Sequence, residues 1–78
     1  MGSRAQHTMG YRRLCGLLRK WRNDAGMTQR TLAKKLRKPP SYVHKTEIGD
    51  RRMDPLEFIA WCRACKIEPS ASISAVEK

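Results

Sequence analysis

The chain has 78 residues, enough for one small domain but rarely for a catalytic cavity in addition to a core, so we expect no enzyme. Lys and Arg number 17 against 7 Asp and Glu, which gives a net charge of +10. Residues 1–52 hold 14 basic and 3 acidic side chains, whereas residues 53–78 hold 3 and 4. Solubility does not require such one-sided charge, so the distribution favours a polyanionic partner, above all nucleic acid.

The cysteines indicate a reducing environment. Cys15, Cys62 and Cys65 are odd in number and no secretory signal precedes them, so free thiols are expected. Cys62 and Cys65 form a C-x-x-C pair, but a structural zinc site needs four ligands and there is no second pair. Because both thiols fall within a helical pattern, we interpret them as small apolar core residues, with no metal or cofactor.

The chain has no run of apolar residues long enough to cross a membrane. Residues 1–10 lack the apolar region of a secretory signal. We interpret them as a disordered basic arm or a cloning remnant, and residues 11–78 as the folded domain.

Helical periodicity recurs along the chain, and no strand-like alternation persists. The first helix is predicted from about Tyr11 to Ala25, and Gly26 supplies the left-handed residue that ends it. Thr28 is typical of an N-cap and begins a second helix of about nine residues. That helix is too short to be stable alone and must pack on others.

A proline-containing break separates the second helix from the third. Pro39 disfavours the α conformation at Lys38, and the third helix is predicted from about Pro40 to Ile48, ended by Gly49.

Asp54 and Pro55 mark the start of a fourth helix, as N-cap and first helical residue, and the helix runs to about Lys66. Its inner stripe is predicted to consist of Phe58, Trp61, Cys62 and Cys65. Residues 69–77 can form a short fifth helix. The predicted fold is all-α, a compact domain of four to five helices.

The third helix is predicted to have one face that does not pack against the core. Ser41, His44 and Lys45 are predicted to lie on that outward face, with Tyr42 as a further member. An α-helix fits the major groove of DNA, where such side chains reach base edges.

Three segments in order resemble the Cro-like, phage-repressor-type helix-turn-helix family. They are residues 28–36 (TQRTLAKKL), residues 41–43 (SYV) and residues 47–49 (EIG), and the wider resemblance covers about residues 14–67. The resemblance implies a lambda-repressor-like fold and binding to double-stranded DNA. Arg37 stands where the family usually has Gly, and a left-handed backbone there would cost about 1 kcal/mol.

The resemblance also implies roles for individual residues. Base edges would be contacted from the third helix, by Pro40, Ser41, His44 and Lys45. Backbone phosphates would be contacted from the helix ends and loops around it, by Gln29, Arg30, Lys38, Tyr42, Arg51 and Arg52. Arg22 and Glu47 would form a structural ion pair that orients the third helix.

These features predict a transcriptional regulator, a repressor of the prophage-regulator or antitoxin kind, without a small-molecule ligand. We expect it to be bacterial or phage-encoded and to act in the cytoplasm, associated with the nucleoid. A protein-interaction module of the same fold and a non-specific nucleic-acid clamp are the alternatives. A homodimer is expected because the apolar side chains of Leu56, Ile59, Ile73 and Val76 exceed what one small core requires. Alternatively, the C-terminal segment folds back over Leu56 and Ile59 within one monomer.

Overall fold

The computed structural model describes residues 8–77, which form five α-helices and no strand, as the all-α prediction requires. The helices are α1 (Met9–Asp24), α2 (Gln29–Lys35), α3 (Ser41–Glu47), α4 (Pro55–Ala64) and α5 (Pro69–Val76). Within the described residues, none of the helices has the length and apolar character needed to cross a membrane.

The first helix begins earlier than predicted. The Thr8 side chain accepts a hydrogen bond from the Tyr11 backbone N–H at 3.2 Å, so Thr8 is the N-cap and α1 starts at Met9. The predicted boundary after residue 10 is therefore wrong, since residues 8–10 belong to the domain. The rest of the predicted arm, residues 1–7, lies outside the described residues.

The two short helices are joined by a tight turn. Thr28 caps α2 as predicted, through a 3.0 Å hydrogen bond from the Thr31 N–H. Arg37 is left-handed, with φ of 58°, and the Lys38 N–H donates to the Ala33 carbonyl at 2.9 Å to close the turn. The turn therefore keeps the shape that glycine favours at this position, at an expected cost of about 1 kcal/mol. Pro40 is the N-cap of α3 and not its first residue.

Asp54 begins α4 with a reciprocal capping box. Its side chain accepts the Glu57 N–H at 2.8 Å, and the Glu57 side chain accepts the Asp54 N–H at 3.0 Å. The helix ends at Ala64, two residues before the predicted Lys66, because Lys66 is left-handed with φ of 61°. The sequence has no glycine there to mark the end. The predicted fifth helix is confirmed as α5.

The core lies where α1, α2, α3 and α4 meet, and the whole predicted stripe of α4 is buried in it. The Trp61 indole N–H donates to the Leu18 carbonyl at 3.2 Å, which satisfies its one polar atom. Cys62 and Cys65 are buried, as their interpretation as core residues requires, and Cys15 is a buried free thiol as well. Burial raises the pKa of each thiol, and that of Cys65 to about 11, so these thiols remain protonated at neutral pH.

Two glycines should respond oppositely to alanine. Gly16 is an exposed residue in the middle of α1, and Gly26 is left-handed with φ of 74°; at neither would a Cβ meet any atom within 4 Å. Gly16→Ala should raise the free energy of unfolding by roughly 0.5–1 kcal/mol, because glycine loses more backbone entropy in a helix. Gly26→Ala should lower it by about 1 kcal/mol, because alanine strains the left-handed backbone. Urea unfolding of both variants tests this, and a loss of stability in Gly16→Ala would contradict it.

Candidate nucleic-acid interface

The seven residues of α3 divide cleanly between core and solvent. Four of them are buried, namely Tyr42, Val43, Thr46 and Glu47. Ser41, His44 and Lys45 are exposed, and so are Pro40 before them and Ile48 after them. The spacing of residues 41, 44, 45 and 48 places them along one helix face. The four residues predicted to contact bases are therefore together at the surface.

Tyr42 is not on that outward face, and its predicted placement there is wrong. Its side chain is only 8% exposed, and its ring packs on Trp61 with the two ring centres 6.4 Å apart. Lys38 Nζ and Arg51 Cζ lie 5.3 Å and 4.8 Å from the centre of the Tyr42 ring. A helix of seven residues that docks on a core needs a large apolar anchor, and Tyr42 supplies it. It also brings a turn cation and a loop cation to one place.

The ion pair expected from the resemblance is present. Arg22 Nε lies 2.6 Å from Glu47 Oε2 and Arg22 Nη2 lies 3.1 Å from Glu47 Oε1, with side chains only 8% and 3% exposed. Arg22 Nη1 also donates to the Met27 carbonyl at 2.9 Å. One arginine thus links α1, the turn before α2, and the last residue of α3. Such a two-pronged pair fixes orientation as well as distance.

Gln29 belongs to the same network. Its side-chain Nε2 donates to Glu47 Oε1 at 3.0 Å, which joins the first residue of α2 to the last residue of α3. The amide group has a second N–H, so this bond leaves one donor for a phosphate oxygen. The phosphate contact of Gln29 stays a prediction.

The other predicted phosphate contacts differ in exposure. Arg30, Lys38 and Arg52 are exposed, whereas Arg51 is half-buried. Arg51 Nη1 and Nη2 donate to the two carboxylate oxygens of Glu57 at 3.2 Å and 3.1 Å. These hydrogen bonds hold the pKa of Glu57 below its usual range, so its carboxylate stays charged beside Arg51.

Sequence reasoning missed two residues in and around this interface. Ile48 is 58% exposed although it is large and apolar, and it continues the outward face of α3. Tyr11 is buried, and its hydroxyl binds the loop between α3 and α4. Ile48 could have been found from helical spacing alone. The role of Tyr11 could not be predicted from any local pattern, because the residues that its hydroxyl contacts are distant in sequence.

Comparison with known proteins agrees with this geometry. The family described as "Helix-turn-helix domain" matches residues 13–71. A similar solved structure is that of an XRE-family like protein from Pseudomonas syringae pv. tomato str. DC3000. It is 39% identical, the match covers 97% of this chain and 93% of that chain, and the TM-score is 0.85. No curated protein matches the sequence. From the family match over most of its length and the similarity of the whole fold, the chain belongs to the Cro/XRE-type helix-turn-helix family.

Proposed function

We propose that this protein is a transcriptional repressor that binds a specific sequence of double-stranded DNA. Membership of the family makes it a DNA-binding regulator in general terms. The observation that carries the finer proposal is the division of α3, whose buried residues fix the helix while Ser41, His44 and Lys45 remain exposed. Side chains of these kinds donate and accept hydrogen bonds at base edges in the major groove.

The charge around α3 supports the same proposal. Arg30 in α2, Lys38 in the turn and Arg52 in the following loop are all exposed cations. Contacts from such residues to phosphates position a protein on DNA, whereas contacts to base edges select the sequence. We propose repression because occupation of an operator alone suffices for it, in a prophage-regulator or antitoxin role in the bacterial cytoplasm.

A selection from a random duplex library tests sequence-specific binding directly. Purified protein should enrich one motif, and a control selection with a variant that lacks the exposed α3 side chains (Ser41→Ala, His44→Ala, Lys45→Ala) should not. A reporter placed behind the recovered motif should then be repressed by the wild type. Failure of the wild type to enrich any motif, even at low salt, would refute the proposal.

We also propose that the protein acts as a homodimer through the surface of α4 and α5. Leu56, Ile59 and Ile73 are 77%, 41% and 47% exposed, so the fold of one monomer leaves them uncovered. Ile59 and Ile73 line an open, mainly apolar groove of about 610 Å³, together with Phe58 and Leu14. The exposure of Leu56 and Ile59 argues against the alternative in which the C-terminal segment covers them within one monomer.

An acidic substitution in this groove should break the dimer. Ile59→Asp should raise the dimer dissociation constant by roughly tenfold or more, because an unpaired carboxylate would be buried. Ile48→Asp is the matched control, since it places the same charge at the exposed isoleucine that directly follows α3. Sedimentation velocity should show dimers for the wild type and the control and monomers for Ile59→Asp. If the protein binds DNA as a dimer, the selection from the random duplex library should also yield a palindromic motif with half-sites roughly 34 Å apart. A wild type that is monomeric both with and without DNA would contradict the dimer.

The same apolar surface favours the second candidate function, a protein-interaction module of this fold that does not bind DNA. A groove lined by Ile59 and Ile73 could accept an apolar helix of another protein. The library selection separates the two functions, because an interaction module would enrich no DNA motif.

A further inference from the structure

The loop between α3 and α4 is fastened to the beginning of α1 by Tyr11. The Tyr11 hydroxyl accepts a hydrogen bond from the Met53 N–H at 3.0 Å and donates one to the Arg51 carbonyl at 3.3 Å. These two bonds fix the backbone on both sides of Arg52. The Arg52 guanidinium lies over the Tyr11 ring, with Cζ 4.6 Å from the ring centre. One side chain thus holds the loop backbone and supports the cation that the loop carries.

The two arginines of this loop differ in whether a carboxylate is paired with their charge. Arg51 shares two hydrogen bonds with the Glu57 carboxylate and stacks on Tyr42. Arg52 is exposed and forms no salt bridge with any of residues 8–77. Arg51 therefore secures the loop to α4, and the positive charge of Arg52 remains available to an outside anion.

We propose that Tyr11 is a positioning residue for DNA binding, which holds Arg52 in the orientation to contact a backbone phosphate beside the α3 face. This inference rests on the proposed DNA-binding function and adds a residue that does not itself need to touch DNA. An arginine whose side-chain orientation is already fixed before DNA binds loses less side-chain entropy on binding. Its phosphate contact is therefore stronger than that of an arginine whose side chain moves freely. Its contact is independent of sequence, because phosphates are the same at every base pair.

The chemistry of the phenol suits this role. Burial raises the pKa of Tyr11, so its hydroxyl stays protonated at neutral pH and can donate to the Arg51 carbonyl. Phenylalanine at this position would keep the ring beneath Arg52 but would remove both hydrogen bonds to the loop. Tyr11→Phe therefore separates the fixing of the loop from the stacking of the guanidinium.

The test measures DNA affinity across a salt series for Tyr11→Phe, Arg52→Ala and the double variant, on the selected motif and on an unrelated duplex. Each single variant should weaken binding by roughly threefold to tenfold, and for a given variant the factor should be the same on the two duplexes. Arg52→Ala should lower the slope of log affinity against log salt by about one, and Tyr11→Phe should lower it toward that value. The double variant should bind no more weakly than Arg52→Ala, because Tyr11 acts through Arg52.

Arg13→Ala is the matched control, because it removes an exposed arginine of α1 that donates to the Val76 carbonyl at the end of α5. It should leave the salt slope nearly unchanged. In the free protein, Tyr11→Phe should speed amide hydrogen exchange at Met53 while the slowest core amides exchange as in the wild type, which shows that the fold persists. The inference is overturned if the effects of Tyr11→Phe and Arg52→Ala multiply, or if Tyr11→Phe keeps the wild-type salt slope. A wild type that binds neither duplex refutes the proposed function, and this inference with it.

Discussion

Replacing Glu47 with alanine should lower the free energy of unfolding by about 3–5 kcal/mol, because it strands the buried guanidinium of Arg22. Arg22 and Glu47 are almost fully buried, and two hydrogen bonds of 2.6 Å and 3.1 Å join them. Alanine removes both acceptors and offers Arg22 no alternative charge. Thermal unfolding measures the loss, since 1 kcal/mol corresponds to a shift of roughly 4–8 °C in a domain of this size.

Two further variants separate the buried pair from an ordinary ion pair. Arg22→Met combined with Glu47→Leu should cost much less than Glu47→Ala, because no charge is then left unpaired. Asp24→Ala breaks the exposed pair with Lys20, whose side chains are 60% and 65% exposed, and should cost at most about 0.5 kcal/mol. If Glu47→Ala unfolds at the wild-type temperature, the pair adds nothing to stability and our interpretation of it is wrong.

Most helix ends that local chemistry sets were predictable from sequence, although the local Thr8 cap of α1 was missed. Thr28 and Asp54 cap their helices, and Gly26 and Gly49 take the left-handed conformation that ends a helix. These signals depend on neighbouring residues only, so a single sequence contains them in full. Lys66 shows the limit, because it is left-handed without being glycine. At the end of α4, Ile67 packs against the core just after this turn. The conformational propensity of lysine does not predict a left-handed residue at this position.

The parts of the site that escaped prediction depend on contacts between distant residues. Tyr42 was expected on the outward face of α3 because tyrosine is amphipathic, but its ring is buried in the core. Tyr11 could be assigned to a helix, but not to a loop that lies 40 to 42 positions later in the chain. Arg51 and Glu57 are only six positions apart, but their pairing also depends on tertiary structure, because the loop must return to α4 to bring them together. Helical periodicity tells which face is apolar, and it does not tell which elements meet there.

The buried pair also connects stability with DNA binding. Glu47 accepts hydrogen bonds from both Arg22 and Gln29, so the last residue of α3 is tied to α1 and to the start of α2. The exposed face of α3 is therefore held at a fixed angle to the residues that are proposed to meet phosphates. A site held in this way loses little entropy on binding, which favours selectivity.

Lys45→Ala should weaken binding to the selected motif by about 1–3 kcal/mol and relax the preference at one base pair in each half-site. Lys45 is exposed in the middle of the outward face of α3, with Ser41 and His44 beside it. A lysine there can donate to guanine O6 and N7, which no other base pair presents in the same way. Affinity for unrelated duplexes should fall less, because only the general attraction of one charge is lost.

Lys38→Ala is the matched comparison, since it removes the same charge from the turn before α3, where Lys38 is exposed. It should weaken all duplexes alike and lower the salt slope by about one, as expected when a phosphate contact is lost. Gln29→Ala should also weaken all sequences alike, with little change in slope because the amide carries no charge. One set of titrations over salt and sequence measures all three variants. If Lys45→Ala leaves the ranking of sequences unchanged while Lys38→Ala alters it, sequence selection resides in the turn and our assignment of the α3 face is wrong.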